Sequence, residues 1–471
     1  MRTASSRRAH RGRWKCSHSG VPASGCSRSL RAGGRILIVR HPRRLTVRRA
    51  TSLFVPASVA LAVGILLATL PPPVSAGSEP PSPLATAYNT QRKLVRAADG
   101  TLFVAITANV SNTPQVRVLS STSGGPWAEL PPPSGTGNAA DRAALAIDSR
   151  GLLHLVWTEV SAQDRQVFYA RFSGSEWTPP IQLSMSPGYA GFPSLAVDDR
   201  NRVHVVWYGF DGTFYQVYYR RLDPGGWTSE RALTNQNVDA TNPAIALGPE
   251  GHVHVVWFRE HTAMGYLEVA YLRLEGDTVA EIRSLSTAGV DSVDPTIAVA
   301  ASGQVHVAWH AFVGSTDTIQ YAERDMNWSS PQIVTPASIS ALHPSLAIDH
   351  LSRVYLVWEA SDGRIYGQVR NGSWSAPLAL GSQGVARYPS TRWSQYNNPP
   401  CGADGRIDVV WTEESPGGIR IARGFMGDPT PCPLNPTSDA RWLPAAVLGL
   451  VLATIALWVA LVRPRRPRRT R

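Results

Sequence analysis

Four histidines occupy one position of a recurring phrase: His154 in LLHLVW, His204 in RVHVVW, His254 in HVHVVW and His306 in QVHVAW. Tyr355 and Asp408 take that place in two further copies. Imidazoles at regular spacing raise the prospect of a metal centre or a proton relay. Zinc, however, needs its ligands within about 2–2.3 Å of one point, whereas equivalent positions of successive repeats lie around a ring, well apart. Each imidazole is therefore expected to pack between repeats with a hydrogen bond of its own. The turns before them (Asp148–Gly151, Asp198–Asn201, Gly248–Gly251 and Asp404-Gly405) carry one or two acidic side chains, too few for the alternating oxygens of a calcium loop. No metal and no cofactor are expected.

A second set of positions varies where the phrase repeats. Immediately before the Pro that opens the first strand of each copy (Ala143 in one of them) stand Arg142, Phe192, Asn242, Asp294, His343 and Tyr388. Just after the tryptophan that closes the next strand come Glu159, Tyr208, Arg259, Glu260, His310, Glu359 and Glu413. Residues that hold repeats together tend to be alike from copy to copy, while residues turned to a ligand differ. Facing one concavity, these carboxylates, arginines and aromatic rings suit a sugar or a peptide. They are the candidate ligand-binding residues.

The elements that must position them follow from the period. The closing tryptophans Trp157, Trp207, Trp257, Trp309, Trp358 and Trp411 are spaced 50, 50, 52, 49 and 53 residues apart, which marks a repeat architecture. In one copy, Ser194–Val197 reads as a short apolar strand a and Asp198–Asn201 as a turn. Val203–Trp207 then reads as an alternating, β-branched strand b, Gln216–Leu222 as strand c and Trp227–Leu233 as strand d. Four short strands per repeat, joined by turns, describe one blade of a β-propeller. With a fainter copy around Ala97–Thr107 and Gln115–Ser120, seven blades are expected, near 91–133, 140–185, 190–235, 240–287, 292–336, 341–382 and 386–428. The last lacks a convincing strand d. Because a ring must protect its edges, Leu84–Tyr88 is expected to complete it, with a Cys401–Cys432 disulfide pinning the join if the domain is exported.

The net charge of +12 over 471 residues belongs to the tails: fourteen Arg or Lys lie in 1–50 and six Arg in 463–471, leaving −8 for residues 51–462. A nucleic-acid footprint needs a basic patch on the folded domain, so nucleic acid is excluded as a partner. Residues 1–50 read as a disordered tail. The apolar run Leu53–Leu70, followed by Val74-Ser75-Ala76, makes 51–76 a signal peptide or signal anchor. Linkers are expected at 77–90 and 429–441, on either side of the propeller at 91–428. Leu443–Val462 is uncharged and long enough to cross the ~30 Å hydrocarbon core as a helix. A transmembrane helix is thus expected at 442–462, and the arginines of 463–471 put the C-terminus in the cytoplasm. The fold class is all-β, a seven-bladed propeller of four-stranded blades held outside the cell membrane.

The c–d turns Asp223-Pro-Gly225-Gly-Trp227, Asp325-Met-Asn-Trp328, Gly372-Ser-Trp374 and Ser173-Gly-Ser-Glu-Trp177, together with PSLAVD…VHVVW, resemble degenerate Asp-box (BNR) repeats of the sialidase-like propeller superfamily. The resemblance covers about Gln91–Phe425 and implies architecture, since the Asp-box is a folding motif in that family. Sialidases grip a carboxylate with three arginines and use a tyrosine nucleophile, a glutamate and an aspartate. The nearest approach to their first arginine motif is Arg387-Tyr388-Pro389, with the Arg one residue early, and no catalytic residue is carried over. The expected function is recognition of a glycan or protein ligand through the funnel face. A sialidase-like exo-glycoside hydrolase and a structural surface protein are the alternatives.

Overall fold

The computed structural model describes residues 81–427 other than 89, 123, 163, 262, 350, 382–383 and 393–405. The tails, the signal segment, the 429–441 linker, the 442–462 helix, Cys401 and Cys432 lie outside the described residues. Among those described, no helix is long and apolar enough to cross a membrane.

Seven antiparallel sheets follow one another along the chain, six running a-b-c-d from the inner strand outwards and the seventh a-b-c among the described residues. Strands a and b are Leu94–Arg96 and Leu102–Val110 in blade one, Ala140–Ile147 and Leu153–Ser161 in blade two, and Ala190–Val197 and Val203–Phe210 in blade three. They are Ala240–Leu247 and Val253–Glu260 in blade four, Ser292–Val299 and Val305–Val313 in blade five, Ala341–Ile348 and Val354–Ala360 in blade six, and Val385–Thr391 and Ile407–Ser415 in blade seven. Each inner strand packs against that of the next blade. Strand d is shorter than the sequence suggests. In blade three the expected Trp227–Leu233 strand splits into Gly226–Trp227 and Arg231–Ala232, both paired with strand c. Prolines at the same place in blades two, five and six (Pro180, Pro331, Pro377) cannot donate to a ladder, which confines their outer pairing to two-residue pieces.

Strand a starts earlier than expected, because the Pro that looks like its boundary lies inside it. In blade three Gly191 pairs with Tyr208 and Ser194 with Val206, so Phe192 and Pro193 together face the single residue Trp207. The same two-against-one bulge sets positions 142–143, 242–243, 294–295, 343–344 and 388–389 against Trp157, Trp257, Trp309, Trp358 and Trp411. A residue without an N–H is tolerated where the ladder is interrupted. The repeated Pro and the repeated Trp are two sides of one bulge. All six indoles are buried.

The four repeated histidines each hydrogen-bond through Nδ1 to a strand c tyrosine of their own blade: His154 to Tyr169, His204 to Tyr219, His254 to Tyr271 and His306 to Tyr321, at 2.6–2.8 Å. Three of those tyrosines meet the strand d tryptophan of the following blade edge-on, Tyr169 with Trp227, Tyr271 with Trp328 and Tyr321 with Trp374. Burial holds all four imidazoles below their ordinary pKa, His254 and His306 down to about 3. They are neutral structural groups, and three of them connect through their tyrosines to the following blade.

Blade seven shows three strands among the described residues, and Leu84–Tyr88 is not its fourth. Instead Ala85 O accepts from Thr107 N in blade one, while Thr86 bonds Thr412 in blade seven through N and Oγ1. The segment therefore seals the seam towards the C-terminal ends of the two b strands and leaves the outer edge alone. Three further contacts close the ring. Arg96 forms a two-pronged ion pair with Asp408, Leu94 bridges Arg392 in parallel, and Arg423 reaches Ser121 Oγ and the carbonyls of Gly124 and Gly125.

Candidate functional site

The bulge explains the ring of varied residues. Arg142, Phe192, Asn242, Asp294, His343 and Tyr388 all have positive φ, between 50° and 55°. Arginine, phenylalanine, histidine and tyrosine rarely adopt this left-handed conformation. Bulges re-aim a side chain, and backbone strain of this kind clusters at ligand sites. Here one strained geometry recurs in six blades with six different side chains.

Neighbouring members touch in pairs. The Arg142 guanidinium lies 4.6 Å from the Phe192 ring centroid. Asn242 Nδ2 donates to Asp294 Oδ1 at 3.1 Å, and the His343 and Tyr388 rings are 4.8 Å apart. Tyr88, itself at φ 73°, stands in for blade one: it meets Phe192 edge-on at 4.8 Å and the Arg142 guanidinium at 5.1 Å. Behind Phe192 an aromatic wall continues through Tyr208 at 5.3 Å, then Tyr189 and Tyr215. Burial raises the tyrosine pKa values, that of Tyr189 to about 12, so these hydroxyls stay protonated. Asp141 binds Arg142 through both carboxylate oxygens and also takes Arg165 at 2.8 Å.

His343 differs from the four repeated histidines. Burial disfavours its charge, but the hydrogen bond and charge of Glu359, with Asp294 beyond, outweigh that and raise its pKa. Glu359 Oε2 accepts from both His343 Nδ1 and the Tyr388 backbone N–H, each at 3.0 Å. One carboxylate thus fixes two ring members in adjacent blades.

The residues after the closing tryptophan divide by role. Tyr208 and Glu359 join the ring as described. Glu159 is buried and accepts from the Trp157 indole at 2.7 Å and from Thr136 Oγ1. Glu413 likewise accepts from the Trp411 indole and Arg420. Arg259 pairs with Glu268 at 2.8 Å and His310 with Asp317 at 2.7 Å, each inside its own blade. Glu260 is exposed.

Sequence reasoning missed Tyr88, Tyr189, Gln91, Arg92 and Lys93. Pairing registers make Gln91 the blade-one counterpart of Arg142, a position the 51-residue offset could have found. Tyr88 lies three residues out of period, and nothing in the repeat announces it.

No family model matches the sequence, and no curated protein does. Solved structures align with it as a fold. An ulvan lyase, described as a new family of polysaccharide lyase, covers 74% of this chain and 94% of its own at 11% identity, with a TM-score of 0.55. The lyase bound to -[GlcA(1-4)Rha3S]- gives 0.54 over the same shares. An α-L-arabinofuranosidase from Fusarium graminearum covers 59% and 90% at 12% identity, with a TM-score of 0.45. At such identities the likeness is one of architecture: a seven-bladed propeller.

Proposed function

We propose that the protein is a glycan-binding propeller whose ligand lies across the funnel ring, held on the outer face of the cell membrane by the 442–462 helix. The observation that carries this reading is the ring itself. Six strained bulges carry Arg142, Phe192, Asn242, Asp294, His343 and Tyr388 at one position of successive blades, paired by contacts between neighbours, and Tyr88 joins the first pair. Aromatic faces suit the C–H faces of sugars, and the Asn242–Asp294 pair and His343 supply polar anchors beside them. The propellers of similar fold include a polysaccharide lyase bound to a saccharide, which agrees with this reading but cannot assign it. The finer likeness to sialidase-type Asp-box propellers belongs to the same proposal.

A glycan array probed with residues 77–439, beside a fluorogenic sialoside and a glycoside panel, tests it. Saturable binding without turnover, weakened about tenfold or more by Phe192→Ala or Tyr388→Ala, is the expected result. Turnover lost on changing Glu359 moves the reading to a glycan-processing enzyme. Silence in both assays sinks it and leaves a protein partner or a structural role. Separately, a chain that keeps its N-terminus and is truncated after Asp439 should be released into the medium; retention would mean that 51–76 is also an anchor.

A further inference from the structure

Beneath Tyr88, where blade one meets blade two, the chain buries polar groups that nothing satisfies. Both amide atoms of Gln91 and the hydroxyl of Thr90 have no hydrogen-bond partner, and neither does Arg142 Nε. Gln91 is 0% and Thr90 3% exposed. These atoms sit on two segments stitched together side by side: Leu145 N donates to Arg92 O at 2.8 Å, Lys93 Nζ to Ala143 O at 2.5 Å, and Gln91 N to Tyr88 O at 3.1 Å. Buried donors left unpaired are rare and call for an explanation.

Charge supplies the second observation. Arg92 and Lys93 are both buried, and their cationic heads meet uncharged partners. Arg92 donates to the main-chain carbonyls of Leu346 and Ile297 and to Thr391 Oγ1, and Lys93 to that of Ala143. Burial alone pushes Arg92 down to about 10. It brings Lys93 to about 7, with Asp141 opposing and Arg142 adding to the fall. Asp141 is already taken by Arg142 and Arg165. A buried charge is normally paired.

We propose that Thr90, Gln91, Lys93 and Arg142 form an anion site at the root of the funnel, taking a small oxyanion or the carboxylate or sulfate group of a larger molecule. The Gln91 amide, the Thr90 hydroxyl and the Arg142 Nε–H supply donors, and Lys93 supplies the balancing charge. The site shares Arg142 with the ring above it, and its existence does not depend on the glycan reading.

Thermal unfolding of the full-length protein in rising sodium sulfate tests it, with Thr90→Val, Gln91→Leu and Lys93→Met beside the wild type. Sulfate stabilises proteins generally by exclusion from their surfaces, so the signal is the difference between chains. The wild type should show an additional rise on the order of a few degrees that saturates at millimolar concentration and is lost in the variants. An equal, unsaturating rise in all chains overturns the proposal. Glucuronate beside glucose separates the sources: a shift with glucuronate points to the acidic group of a saccharide, and a shift with sulfate alone to a free anion. Crystals grown in selenate decide independently of any variant. A selenium anomalous peak within hydrogen-bond reach of Gln91 Nε2 bears the site out; water there overturns it. Neutral glycans bound by a chain that shows no anion effect would end this inference and leave the glycan reading standing.

Discussion

At Gly191 the lack of a side chain shapes the aromatic wall. A Cβ there would collide with the Tyr189 hydroxyl and press on Thr158 Oγ1, whereas the other blades carry Asp141, Thr241, Val293, Leu342 and Arg387 at the same place. Gly191→Ala should therefore push Tyr189 off Tyr208, cost about 1–3 kcal/mol as overpacking, and weaken ligand binding at the wall. Calorimetry and a ligand titration read the two effects separately; unchanged stability would mean that Tyr189 adapts freely. Glu359 acts on the opposite side of the ring. Replacing it by Gln keeps an acceptor for Tyr388 N but removes the charge that raises His343. In NMR the His343 titration should fall relative to wild type, and a titration that stays put would place the cause elsewhere. The first partner of His343 is a carboxylate at 3.0 Å, that of His306 a phenol at 2.6 Å. Residue type told them apart poorly, because partner and burial set the charge.

The element that couples fold to site is the bulged a–b hairpin. Its Pro and Trp stabilise the repeat, and the residue before the Pro, inside the strand, inherits the positive-φ backbone of the bulge. Period, strand number and the variable ring were legible because they rest on spacing. The bulge was not, since a Pro ordinarily reads as the end of a strand. Nor was the split in Glu159 and Glu413, whose carboxylates serve the indoles of Trp157 and Trp411; spacing places a side chain near a face without saying what it bonds. Between blades, the outer link is strand d. Trp328 rests edge-on against Tyr271 and donates to Glu281 at 3.1 Å, both in blade four. Trp328→Ala should cost about 2 kcal/mol, less than a fully buried Trp, and speed hydrogen exchange along Thr278–Ser284. Exchange unchanged there would mean that strand d adds nothing to blade contact.

Across the whole molecule, closure is achieved from within. Blade seven ends on Gly418–Met426 among the described residues, so the seam relies on Thr86–Thr412, Arg96–Asp408 and the Arg423 contacts. Asp408 holds the position that histidine fills in four blades, and it trades an intrablade tyrosine for Arg96 across the seam. Asp408→Asn leaves that largely buried guanidinium short of its counter-charge and should cost about 3 kcal/mol, loosening blades one and seven first. His306→Gln, at the same ladder position inside blade five, should cost less. The four neutral histidines then set how the ring responds to acid. Their folded pKa values lie below the unfolded value of about 6.5, so below that pH the unfolded chain binds protons that the folded chain refuses. Their stabilisation is complete above about pH 6.5 and is lost as pH falls towards about 3, the value for His254 and His306. His254 and His306 alone approach a slope of about 3 kcal/mol per pH unit, and His154 and His204 act in the same direction. Asp148 and Asp198 act in the same direction at lower pH: burial opposes their charge, but bonds from His154 and Arg150, and from His204 and Arg202, hold them below the usual carboxylate range. His343, raised, contributes oppositely, with stability present below about 6.5 and fading as pH climbs through its folded value. Four lowered histidines against that single raised one fix the net sign. Urea midpoints at pH 7.5, 6 and 5 should fall steeply, and replacing His254 and His306 by Gln should flatten the curve. A wild-type midpoint that holds steady to pH 5 would mean that these imidazoles accept protons where they stand, and that the His–Tyr links are not the neutral bolts of the ring.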